Sequence, residues 1–88
     1  MEKSLYTSHQ KLLQSLLRHI RQDAGLSQQT LARKLVQHQS FVSKYESGER
    51  RLDIIELREV CIAIGISLIE FTSRFQELID AAESEISK

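Results

Sequence analysis

Apolar residues recur along this chain every three to four positions in five separate blocks, the period that places side chains on one face of an α-helix. The first block holds Leu13, Leu16, Leu17, Ile20 and Ala24. Thr7 followed by Gln10 is a capping-box pattern that opens this helix, and Gly25 ends it. Residues 1–6 lack periodicity and are expected to form a flexible tail. Leu31, Ala32 and Leu35 predict a short second helix over Gln28–Leu35 with Ser27 as its N-cap. Phe41, Val42 and Tyr45 form the inward face of a third helix, Gln39–Ser47, stopped by Gly48. Asp53 with Glu56 caps a fourth, with Leu52 as a hydrophobic staple. Its core-facing residues are Ile54, Leu57, Val60, Cys61 and Ile64, ending at Gly65, while Ile55 and Ile62 fall off that stripe. Ser67 and Glu70 open the last helix, residues 67–86.

No block shows the alternation of a half-buried strand, and proline is absent, so the pattern predicts an all-α fold of five helices. A chain of 88 residues is one small domain. Its formal net charge is zero, but the charge is unevenly placed. Residues 1–52 carry nine Lys/Arg against four Asp/Glu, and residues 53–88 carry three against eight. The basic half holds helices 2 and 3, which suits an anionic partner there and turns the acidic half away from it.

The remaining chemistry is sparse. Cys61 is the only cysteine and sits among apolar neighbours, which rules out an internal disulfide and reads as a small buried hydrophobe. His9, His19 and His38 do not combine with it at a metal-ligand spacing, so no metal is expected. There is no glycine-rich phosphate loop, nucleophile elbow or paired carboxylate, and the chain is read as a non-enzyme without cofactor. No apolar run reaches the ~20 residues of a membrane span, and Lys3 is not followed by a signal-peptide core. The expected location is the cytoplasm.

Helices 2 and 3 are separated by a turn of about three residues, the spacing of a helix-turn-helix that places its second helix in the major groove. Gln39, Ser40, Ser43 and Lys44 point away from the inward face of helix 3. These are side chains that hydrogen-bond base edges, a glutamine suiting adenine and a lysine suiting guanine or phosphate. Arg50 and Arg51, in the loop beyond helix 3, are candidates for backbone phosphates, as is a protonated His38.

The stretch Leu26-Ser27-Gln28, Leu31-Ala32, Val42-Ser43 and Tyr45-Glu46-Ser47-Gly48, in this register, resembles the phage-repressor, Cro-type (XRE-like) helix-turn-helix family. The resemblance covers about residues 12–70. It implies a compact five-helix, lambda-repressor-like DNA-binding domain, to which the apolar stripe of helix 5 adds an extended C-terminal helix. It also implies that Gln28 contacts a phosphate from the start of helix 2 and that Arg21 pairs with Glu46. Two positions depart from the pattern: Val36 stands where the family has its turn glycine, and His38 where it has Ser or Thr.

Helix 5 extends its apolar stripe beyond what so small a domain needs. Phe71, Phe75, Leu78, Ile79, Ala82 and Ile86 are therefore expected to form a homodimer seam. The resulting expectation is a small transcriptional regulator, a repressor in the first instance, binding double-stranded DNA as a homodimer on a two-fold operator. The rival is a protein-interaction module, a toxin-binding antitoxin or a polymerase-binding adaptor, with DNA binding secondary.

Overall fold

The computed structural model describes residues 3–87, and the side chains of residues 7–85. Five helices follow one another: α1 (Lys3–Asp23), α2 (Gln28–Lys34), α3 (Gln39–Ser47), α4 (Ile54–Ile64) and α5 (Leu68–Ser87). Each of the four junctions is short, because a local signal ends each helix and another starts the next. Ser27 accepts the Thr30 backbone N–H at 3.0 Å. Asp53 and Glu56 close both halves of a capping box, at 2.7 and 3.0 Å. Ser67 caps α5 through the Glu70 N–H at 3.0 Å, but the Glu70 carboxylate turns to Arg74 at 2.7 Å instead of back to Ser67.

Ten apolar side chains from all five helices close on one core. They are Leu16, Leu17 and Ile20 of α1, Leu31 and Ala32 of α2, Val42 and Tyr45 of α3, Val60 and Cys61 of α4, and Phe71 of α5. Burying each large member contributes roughly 1.5–3 kcal/mol, which makes this cluster the main source of stability. Leu13, Leu35, Phe41, Leu57 and Ile64 pack against it partly buried, and two expected core positions are exposed. Ala24 is exposed beyond the last turn of α1. Ile54, the first residue of α4, is 58 % exposed.

The ends of the chain differ most from the expectation. α1 begins at Lys3, so residues 3–6 are helical rather than tail, and Thr7 and Gln10 lie within the helix. Nothing between Lys3 and Gln10 breaks a helix: there is no glycine or proline, and Ser or Thr cost only about half a kcal/mol relative to alanine. At 21 and 20 residues, α1 and α5 are both about 30 Å long and pack against each other. His9 Nε2 of α1 comes within 3.5 Å of Glu83 Oε2 near the far end of α5.

One member of the expected seam is corrected. Phe71 is fully buried inside one chain and is unavailable to a second copy. Phe75, Ile79 and Ala82 are half-buried in the monomer, and only Leu78, at 37 %, counts as exposed. Ile86 lies outside the described side chains. Phe75, Ile79 and Ala82 are thus partly covered within one chain, where α1 and α5 lie against each other.

Candidate nucleic-acid interface

α2 and α3 pack on each other around Leu31, Ala32 and Val42, all essentially without solvent exposure. The turn between them is a Schellman stop: Val36 N–H donates to Arg33 O at 3.0 Å and Gln37 N–H to Ala32 O at 2.9 Å. This geometry needs one residue in the left-handed region, and Val36 takes it at φ 55°. α1 and α4 end with the same bond pattern, but there the left-handed residues are Gly25 and Gly65. The motif therefore keeps its turn without the glycine, at a cost in backbone strain. His38 caps α3 with extended backbone but no side-chain bond, which leaves its imidazole exposed.

Behind the two helices lies a buried ionic anchor. Arg21 donates to Glu46 twice, Nε to Oε2 at 2.6 Å and Nη2 to Oε1 at 3.0 Å, and its Nη1 reaches Leu26 O at 2.8 Å. Both side chains are almost fully buried, at 9 % and 1 % exposure. The hydrogen bond to Glu46 raises the Arg21 pKa against the opposing effect of burial. Burial pushes the neighbouring Tyr45 phenol well above its ordinary value, with the Glu46 charge adding to it. Arg18 of α1 also approaches Glu46, at 3.5 Å from its carbonyl and 3.8 Å from Oε1.

From this anchor a hydrogen-bond chain runs to the surface. Gln28 Nε2 donates to Glu46 Oε1 at 3.0 Å, and Gln39 Nε2 donates to Gln28 Oε1 at 3.2 Å. Gln28 is thus half-buried and held, not a freely moving residue at a helix start. Gln39 is exposed at the first turn of α3 with its amide oriented by Gln28. Gln39, Ser40 and Ser43 line an open depression with Gln29, Arg33, Gln37 and His38. Lys44 is exposed one helical turn beyond Ser40. Arg33 was not singled out in the sequence; its place in the last turn of the helix before the turn was the available signal.

Arg50 is placed otherwise than as a free phosphate ligand. Its guanidinium makes a bidentate pair with Glu56, at 3.1 and 2.7 Å, donates to Arg51 O at 3.0 Å, and lies 4.8 Å above the Phe41 ring. The Arg50 hydrogen bond, followed by that from the Asp53 backbone, holds the Glu56 carboxyl below its ordinary pKa. The cause is local: Glu56 already faces the loop because it completes the α4 capping box. Arg51 is exposed on the same loop.

Comparison with known proteins agrees with this geometry. A family profile described as helix-turn-helix matches residues 17–71. No curated protein matches the chain. A solved structure, an XRE-family like protein from Pseudomonas syringae pv. tomato str. DC3000, superposes with a TM-score of 0.80 at 38 % identity, covering 86 % of this chain and 93 % of that one. With its five helices, its α2–turn–α3 unit and these matches, the chain belongs to the XRE-type family of helix-turn-helix DNA-binding regulators.

Proposed function

We propose that this protein binds a specific double-stranded DNA sequence through α3 and represses transcription by occupying a promoter, two copies sharing a two-fold operator. The observation that carries the reading is the bond from Gln39 to Gln28. It uses one amide N–H of Gln39 and leaves the other N–H as a donor and Oε1 as an acceptor, the two functions that N7 and N6 of adenine call for in the major groove. A side chain already held by Gln28, Glu46 and Arg21 loses little freedom on binding, which favours affinity. Ser40, Ser43 and Lys44 supply further contacts along the same helix. The second N–H of the Gln28 amide, His38 and Arg51 meet phosphates on either side, fixing register without choosing sequence.

Retention on mixed-sequence duplex DNA at low and moderate salt tests the first step. Binding that weakens steeply with salt is expected from several phosphate contacts. Absence of retention at every salt concentration refutes the reading and favours a protein-interaction module.

A further inference from the structure

α4 bears two isoleucines on the side turned away from the core. Ile55 is 67 % exposed and Ile62 54 %. They are seven residues apart, two helical turns, and so lie on one face. Arg58 and Glu59 stand between them, both 59 % exposed and paired with each other at 3.4 Å. Single exposed isoleucines are ordinary on protein surfaces. The register of these four residues is the informative feature.

The midpoint of Ile55 and Ile62 falls between Arg58 and Glu59. A two-fold axis through that point, with two α4 helices antiparallel, sets Ile55 against Ile62 of a second copy. The same rotation sets Arg58 against Glu59 of the second copy, and Glu59 against its Arg58. One operation thus matches apolar with apolar and cation with anion. Moving the axis by half a residue sets arginine against arginine or glutamate against glutamate. Partly buried apolar side chains adjoin this face among polar ones: Leu35 and Ala63 beside Ile62, with Lys34, and Leu35 and Phe41 beside Ile55, with Gln37. A specific interface needs roughly 1,000 Å² in total, more than two short helices supply alone, so the end of α2 belongs to the contact.

We infer that the outward face of α4 is the surface through which two copies of this chain associate, antiparallel about an axis between Arg58 and Glu59. The inference deepens the two-copy part of the proposed function and replaces α5 as the seam. It leaves Gln39, Ser40, Ser43 and Lys44 uninvolved. An isologous contact of this kind is the commonest closed arrangement of identical chains.

Sedimentation of the full chain and its variants tests it, with far-UV circular dichroism and urea midpoints confirming that each variant is folded. The wild type is expected to be dimeric at tens of micromolar. Arg58→Glu and Glu59→Arg, each placing like charges across the axis, are expected to weaken the dimer by about tenfold or more. The double variant Arg58→Glu/Glu59→Arg is expected to recover most of that loss, and Ile62→Glu to leave only monomer. A wild type that remains monomeric at hundreds of micromolar overturns the inference. So do charge reversals without effect, a double variant that fails to recover, or a dimer broken by Leu78→Glu but not by Ile62→Glu. The same samples applied to mixed-sequence DNA separate the two readings: dimerisation with this mutational pattern and no DNA retention supports the α4 surface while refuting DNA recognition.

Discussion

Replacing Val36 with glycine should stabilise this protein, although it deletes an entire apolar side chain. Val36 holds φ 55°, where a β-branched L-residue is strained. The strain of a non-glycine residue in that region is of order 1–2 kcal/mol. Against it stands the greater freedom of glycine in the unfolded chain, about 0.4–1 kcal/mol. Burial contributes almost nothing, since Val36 is 89 % exposed. The turn hydrogen bonds, Val36 N to Arg33 O and Gln37 N to Ala32 O, are backbone bonds that glycine retains. At the middle of both ranges the balance favours the variant by about 0.8 kcal/mol, a rise in Tm of roughly 3–6 °C for a domain of this size. Thermal and urea unfolding followed by circular dichroism measure it, with Val36→Ala as a control that stays left-handed without glycine and gains much less. An unchanged or lowered midpoint for Val36→Gly would show that the turn carries no strain and refute the argument.

Further outcomes follow from the buried pair, the loop and the core. Glu46→Ala leaves Arg21 buried with Leu26 O as its remaining hydrogen-bond partner and should cost about 3–5 kcal/mol in urea unfolding; a loss below 1 kcal/mol would mean that water reaches the guanidinium. Glu56 has a depressed pKa in the folded state, so the unfolded chain binds the proton more readily. Its contribution is complete above the ordinary glutamate value of about 4.3 and fades as pH falls through the lower folded value, so Glu56→Gln should flatten the acid limb of the stability curve. In DNA binding the same variant keeps a side chain able to complete the α4 cap but releases Arg50, and the salt dependence should steepen by about one counterion; an unchanged slope would show that Arg50 reaches phosphate despite Glu56. Cys61 is fully buried and its thiol is pushed up to about 11, so thiol reagents should label it only at the rate of unfolding.

The middle of this fold was legible in the sequence and its ends were not. Ser27, Asp53, Gly48 and Gly65 act within a few residues of themselves, and the helix limits they imply are those observed to within one residue. The start of α1 was missed because Thr7–Gln10 has the form of a cap, while nothing before it forbids a helix. Whether such a residue caps or continues depends on what the preceding turn packs against, and here α1 runs along α5. The α5 stripe met the same limit, since Phe71, Phe75 and Ile79 do not state whether their cover comes from within the chain, and Phe71 finds it there. The exposure of Gln39, Ser40 and Lys44 on one helix was legible from helical position alone. The bond from Gln39 to Gln28 joins residues eleven apart and has no local signature. The pair of Arg50 with Glu56 was not foreseen because Glu56 already had a local explanation as a capping residue.

The central claim is that Gln39 on α3 reads a base, and selection from a random duplex pool tests it most directly, run in parallel with the wild type and Gln39→Ala. The wild type should enrich an inverted repeat with one adenine–thymine pair strongly fixed in each half. Gln39→Ala should relax the preference at that pair alone and lose ~1–3 kcal/mol on the enriched site. A pool that yields no common sequence, or the same sequence at the same affinity for both proteins, would contradict the account.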